Sequence, residues 1–392
     1  MSTSSQAAPP LSGIRVLDLS NLGPGARCSR ILADLGAAVT RVVPPVGKGG
    51  HRLELPFHSY NASRGWRKLA IDVKQERGRE ILLRLMAKAD VVIEGFRPGV
   101  AARLGIGYED AARANPRVVY CSISGYGQTG PAASWVGHDL NYVAMAGMLA
   151  TGQRRADGAP AIPGLTVADN AGGMQAAVAI LAALLRRGGG PTGSYLDVAM
   201  TDGMLYLMSL QVDEYLATDT EPVPGNSVLT GRYACYDFYP AGDGKWLSVA
   251  AIETGFFAKL CKALGCEEWI VHQFDDAKQD DIRNALRRMF VSRGRDEWVA
   301  LLGPLDTCVA PVNSIAEATR DPHLTARGLF AEARHPEHGS VPQVGRIFPG
   351  CDRAERSYAV PSASGTDSEA ILAEISIGND ELAALKAAGI VG

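Results

Sequence analysis

The chain has 392 residues, with 39 Lys and Arg against 42 Asp and Glu and a formal net charge of −3 at pH 7. That balance exerts no global pull toward nucleic acid or an anionic membrane surface, so any anion site must be local. The length predicts two lobes rather than one domain, and apolar runs broken by Gly and Pro predict no membrane span.

Residues 1–10, rich in Ser, Ala and Pro without a basic start or an apolar segment, read as a disordered arm and not as a signal peptide. A strand at 15–19, a turn at Gly23-Pro24-Gly25, a helix over 26–35 and a strand at 39–43 then form a βαβ unit. It looks superficially like a dinucleotide fingerprint. Cys28 takes the place of the third small residue, however, and Val42-Val43-Pro44-Pro45 stands where an acidic ribose ligand belongs, so NAD is not expected. Strands at 68–73, 91–94 and 118–122, with a helix over 75–88, continue an alternation that implies a parallel sheet flanked by helices. The fold class is therefore α/β, with a Rossmann-like large domain.

Two helix starts follow, 31 positions apart (169 minus 138). Gly137-His138-Asp139-Leu140-Asn141-Tyr142 opens a helix over 140–149, and Val167-Ala168-Asp169-Asn170-Ala171-Gly172-Gly173 precedes a helix over 174–185. A helix N-terminus carries unpaired N–H groups and positive potential, which favour a carboxylate anion and a neutral imidazole and can hold a developing oxyanion. A base and an acid placed there suit proton abstraction next to a carbonyl. Taken alone, Asp139 and Asp169 also fit as N-caps and His138 as an ordinary core or surface histidine, so the local pattern leaves both readings open. Tyr142, four residues after His138, shares its helical face and can order the site or pack in the core.

Arg186-Arg187 and the glycines after them read as a helix stop before a strand at 195–198. A Pro/Gly-rich linker at 221–227 leads to a hairpin of 233–239 and 246–251, then to helices over 256–264, 278–290 and 296–302. This is a smaller α+β domain. The seven cysteines form no C-x-x-C pair and are odd in number, which predicts a reduced, cytoplasmic location.

Ser124-Gly125-Tyr126-Gly127-Gln128-Thr129-Gly130-Pro131 followed by Gly137-His138-Asp139-Leu140-Asn141-Tyr142 resembles the α-methylacyl-CoA racemases of the class III CoA-transferase (CaiB/BaiF) superfamily. Leu11-Ser12-Gly13-Ile14-Arg15-Val16-Leu17-Asp18, Ala33-Asp34-Leu35-Gly36-Ala37 and Ala89-Asp90-Val91-Val92-Ile93-Glu94-Gly95-Phe96-Arg97-Pro98-Gly99-Val100 fall in the family's order. So do Val198-Ala199-Met200-Thr201-Asp202-Gly203, Ala251-Ile252-Glu253 and Asp306-Thr307-Cys308-Val309-Ala310-Pro311-Val312, so the resemblance spans nearly the whole chain. It implies a CoA-binding domain over 11–220, a small domain over 221–325, a segment 326–392 that returns to the first, and an interlocked homodimer.

In that superfamily the position of Asp169 serves as acid/base in the racemases and as acyl-accepting nucleophile in the transferases. The racemases carry His138 and Glu253, and both are present. The resemblance therefore implies epimerisation of 2-methyl-branched or 2-aryl acyl-CoA thioesters. The alternative is a CoA-transferase acting through Asp169. No metal or redox cofactor is expected, and coenzyme A enters as part of the substrate.

His138 and Asp169 would serve opposite faces of the α-carbon, with Glu253 pairing with His138 and backbone N–H groups near Asn170 and Ala171 holding the thioester oxygen. Gly125 and Tyr126 are expected to line the CoA site. Its phosphates call for cations, and Arg64, Arg67 and Lys68, with Arg97, are the candidates. A basic residue just before Pro at the exit of the second strand, frequent in the family's racemases, is replaced here by Pro44-Pro45, with Lys48 and Arg52 downstream.

Overall fold

The computed structural model describes residues 8–20, 23–46, 64–336, 338–351, 353–354, 356–360 and 365–392. Most of the N-terminal arm, and Lys48 and Arg52, lie outside the described residues. The chain divides into two compact units, one of Met1–Gly147, Pro163–Ser209 and Pro322–Gly392 and the other of Met148–Ile162 and Leu210–Asp321.

The first unit begins with β1 (Arg15–Asp18), α1 (Pro24–Asp34), β2 (Ala38–Val43), β3 (Arg67–Ala70), α2 (Glu76–Met86), β4 (Val91–Glu94), α3 (Tyr108–Ala114) and β5 (Val119–Ser124). There follow α4 (Asp139–Met145), α5 (Val167–Arg187), β6 (Ser194–Ala199) and α6 (Met200–Leu207). The six strands are parallel in the order β3-β2-β1-β4-β5-β6. Every residue of β4 and β5 is buried, which is why they read as unbroken apolar runs and not as alternating ones.

Successive side chains still point to opposite faces. Val91, Ile93, Val119 and Cys121 pack with Leu32 of α1 and Ala176 and Ile180 of α5, whereas Val92 and Tyr120 pack with Ile81, Leu82 and Met86 of α2. Each of those large apolar side chains contributes about 1.5–3 kcal/mol by leaving water. Strand order reverses between β1 and β4, and the carboxyl edge of the sheet at such a reversal is where open α/β folds bind ligands.

The helix expected over 174–185 begins seven residues earlier, at Val167. Gly172 and Gly173, which look like helix breakers in sequence, are contact points. A Cβ on Gly173 would lie 2.8 Å from the carbonyl oxygen of Pro24, and one on Gly172 2.7 Å from the Met200 side chain, so only glycine lets α1 and α6 approach α5. The resulting 21-residue helix is long and apolar enough to cross a membrane by length and composition, against the expectation of no such span. It packs here on β5, β6 and α1 as a core helix. The helix expected over 140–149 stops at Met145, interrupted by Gly147 at φ +85°.

The second unit holds α7 (Ser209–Thr218, of which Ser209 belongs to the first unit), β7 (Tyr236–Pro240), β8 (Trp246–Ala250), α8 (Thr254–Leu264), α9 (Gln279–Phe290), α10 (Arg295–Leu302) and β9 (Val309–Pro311). The hairpin and β9 form a three-stranded antiparallel sheet over a core of Tyr239, Leu247, Phe257, Leu286 and Phe290. The last segment adds β10 (Phe330–His335), β11 (Gly339–Val344), β12 (Ser357–Ala359), α11 (Ser368–Ala373) and α12 (Asn379–Ala387) to the first unit. Ile371, Leu372, Leu382 and Leu385 of α11 and α12 join the α2 face of the sheet, and the Gly392 N–H donates to the carbonyl of Ala70 at 3.0 Å.

Candidate active site

Parallel strands place the β1–α1 turn, the loop after β5 and the N-terminus of α5 at the carboxyl edge of the sheet. The loop after β5 is shaped by glycine and tyrosine. A Cβ on Gly125 would lie 2.3 Å from the Tyr142 ring, so the loop and α4 pack at glycine distance. Tyr142 is buried, donates its hydroxyl to the Gly137 carbonyl at 2.5 Å and meets Tyr126 edge to face with ring centres 5.1 Å apart. Burial, and then the neighbouring Tyr126, Asp169 and Asp139, push the Tyr142 phenol up to about 12. Gly127, at φ +85°, donates to Ser124 Oγ, and the Gln128 N–H donates to the carboxylate of Asp197 on β6. Tyr142 thus supports this loop, with its hydroxyl already engaged.

His138 is the N-cap of α4. Its backbone N–H donates to Asn141 Oδ1 at 3.0 Å, and the residue is exposed. Asp139 ties the two helix starts together, because its Oδ1 accepts the N–H of Asp169 at 3.0 Å. Asp169 is the third residue of α5, with Thr166 as N-cap, and its side chain is 21% exposed. Burial raises the Asp169 carboxyl above the ordinary aspartate range. Arg27 opposes that shift, Asp139 adds to it and His138 opposes it.

Because the helix begins at Val167, the expectation for its N–H donors changes. The Asn170 N–H donates to the Thr166 carbonyl at 3.3 Å, and Ala171 lies deeper still, so neither is open to a thioester oxygen. The Asn170 side chain is engaged too, through Nδ2 to the Thr166 carbonyl and Oδ1 to Arg27. Among the described residues, the N–H groups of Val167 and Ala168 have no hydrogen-bond partner, but Ala168 is fully buried, so the donor this helix start offers is that of the half-buried Val167.

Arg27 is the site residue that sequence reading passed over. From the first turn of α1 its Nη1 lies 3.4 Å from Asp169 Oδ2, while Nε donates to Asn170 Oδ1 and Nη2 to Thr166 Oγ1, both at 2.9 Å. The signal was a cation in the first turn of a helix, where the macrodipole disfavours it unless an anion stands close by.

The cations expected to bind phosphate divide. Arg64 is corrected from a phosphate ligand to a buried staple. Its guanidinium is 2% exposed, makes two bonds to Asp34 at 3.0 and 2.6 Å, donates to the carbonyls of Val344 and Gly345 and lies over the Tyr358 ring. Arg67 is the first residue of β3, at the amino edge of the sheet and away from Asp169, and it pairs with Glu374. Lys68 is next in that strand and half-buried, its N–H donating to Asp367. Arg97 alone of the four follows the carboxyl end of a strand, β4, and it is exposed. Glu253 belongs to the second unit, where it is exposed and caps α8, its carbonyl accepting from Phe256 and Phe257.

A family model described as CoA-transferase family III matches residues 11–364. An alpha-methylacyl-CoA racemase of Homo sapiens is 35% identical over 322 residues, 82% of each chain. A succinate–glutarate CoA-transferase of Agrobacterium fabrum is 31% identical over 359 residues, covering 86% of this chain and 88% of its own. Among solved structures, a CaiB/BaiF family protein from Brucella suis is similar with a TM-score of 0.78 and 28% identity, covering 94% of this chain and all of the other.

Proposed function

This chain belongs to CoA-transferase family III, enzymes acting on acyl-CoA, and from that premise we propose that it epimerises 2-methyl-branched or 2-aryl acyl-CoA thioesters. The observation that carries this reading is the bond from the Asp169 N–H to Asp139, which fixes the helix start bearing His138 beside the one bearing Asp169. Asp169, as the carboxylate, takes the α-proton from one face. The electron pair moves onto the thioester oxygen, held by the N–H group of Val167, and protonated His138 returns a proton to the other face. The reverse direction exchanges the two roles. Positioned acid–base groups contribute about 10²–10⁴-fold each, and one oxyanion donor about 3–4 kcal/mol.

In this reading Glu253 positions His138, Arg97 meets a phosphate of CoA, and the working enzyme is an interlocked homodimer. The dimer is supported by the apolar side chains that α5 and α6 leave in water in a single chain, among them Met174, Val178, Leu205, Tyr206 and Leu207.

A transferase reading is favoured by the similarity to the Agrobacterium enzyme, while the Arg27 ion pair, which favours the anion of Asp169, serves either reading. The two differ in a bond. A racemase base is never acylated, whereas a transferase nucleophile forms an adduct that hydroxylamine or borohydride traps. Intact-mass analysis after incubation with acyl-CoA is expected to show no adduct. An adduct on the Asp169 peptide, formed at the rate of turnover, would replace the racemase by the transferase.

A further inference from the structure

We propose that Arg27 is a positioning residue that holds Asp169 Oδ2 and leaves Oδ1 as the oxygen that reacts. The inference rests on Asp169 being the reacting carboxylate, which both functional readings share.

Oδ2 is enclosed from the α1 side. Arg27 Nη1 stands 3.4 Å from it, and a Cβ built on Gly23, at φ +105°, would lie 3.7 Å from it. Oδ1 accepts no hydrogen bond among the described residues. A single contact of 3.4 Å would orient little, but this guanidinium is gripped at three points, by Thr166, the N-cap of α5, and by Asp169 and Asn170 in its first turn. Its planar fork cannot swing without losing all three. The carboxylate is thereby prevented from turning end over end, and one oxygen is presented to the open side of the site.

The charge arrangement gives this role a measurable signature. Arg27 faces Asp169 from α1, and Asp139, His138 and Tyr142 face it from α4. With Arg27 removed, burial and Asp139 remain to disfavour the anion, and only His138 opposes them. Asp169 must then lose its proton at higher pH, and the acid limb of activity must move upward with it.

The test uses the full-length protein and two variants, Arg27→Gln and Arg27→Lys. The Asp169 carboxyl carbon is titrated by NMR in ¹³C-aspartate-labelled protein without substrate, its signal identified by its loss in Asp169→Asn. Arg27→Gln is expected to raise the midpoint by about one unit or more, in the range of a lost opposite charge at this distance. It should lower kcat by roughly ten- to a hundredfold on the plateau above that midpoint, with KM within about twofold. Arg27→Lys, which keeps the charge but cannot span three acceptors, should restore the midpoint and only part of kcat.

An unmoved midpoint in Arg27→Gln would overturn the proposal and leave Arg27 as a helix staple. A moved midpoint with kcat unchanged on the plateau would overturn its orienting role. If wild-type protein neither exchanges an α-proton nor transfers CoA, the functional reading fails, while the titration still decides whether Arg27 governs Asp169.

Discussion

Replacing Arg64 by Ala separates a structural cation from a phosphate ligand, and its size follows from the contacts. The substitution removes both bonds to Asp34, whose side chain is 3% exposed, and the donors to the carbonyls of Val344 and Gly345. Breaking a buried ion pair from one side costs about 3–5 kcal/mol. Arg30 and Arg346, 3.7 and 3.9 Å from Asp34, remain to neutralise it, which points to the lower end of that range. Of the two carbonyls only that of Gly345 is buried, Val344 being exposed, and together they add about 1 kcal/mol. The expected loss is about 4 kcal/mol, or roughly 1–2 M in urea midpoint at a slope of about 2–3 kcal/mol/M. Hydrogen exchange should speed up first in β11, whose end Arg64 ties to α1, and in its paired strand β10. KM for acyl-CoA, measured below the transition, should change less than twofold. A variant with unchanged midpoint and a KM raised tenfold would refute the staple and return Arg64 to the phosphate site.

His138→Ala should abolish α-proton exchange from one enantiomer by about a hundredfold or more while sparing the other, read by deuterium incorporation; equal small losses would contradict two bases on opposite faces. Asp139→Asn keeps an acceptor for the Asp169 N–H but removes a negative charge beside a carboxyl whose proton that charge helps retain. The Asp169 midpoint should therefore fall, and the acid limb of kcat/KM move to lower pH, the reverse of Arg27→Gln. Refolding Glu253→Ala and Asp169→Ala chains together should restore activity if Glu253 serves the partner's site, because half the sites of a mixed dimer are then intact. No recovery above the separate variants would assign Glu253 to its own chain.

The sheet was legible wherever burial on both faces leaves a run of β-branched residues between turns, as at Val91–Glu94, which the apolar pattern locates end to end. The start of α5 was not, because Gly172 and Gly173 carry no sign in sequence of whether they break a helix or admit a neighbouring backbone. The two helix starts with His138, Asp139 and Asp169 were readable as candidates, since capping chemistry is local. What holds them was less so. The Asp169–Asp139 bond joins residues 30 apart and the Arg27 pair residues 142 apart, and nothing local to either end announces the other. Arg64 illustrates the opposite error. A basic turn reads as a free surface cation because the carbonyl it serves lies 280 positions away.

The most direct measurement is incubation of one enantiomer of a 2-methylacyl-CoA with the enzyme in deuterated water, without any acceptor carboxylic acid. Two-base epimerisation predicts deuterium at the α-carbon together with accumulation of the opposite configuration; in Asp169→Asn the inversion vanishes, and exchange vanishes with it for the enantiomer whose α-proton Asp169 takes. Retention of both the α-proton and the configuration, with CoA leaving the substrate only when a carboxylate is added, would contradict it.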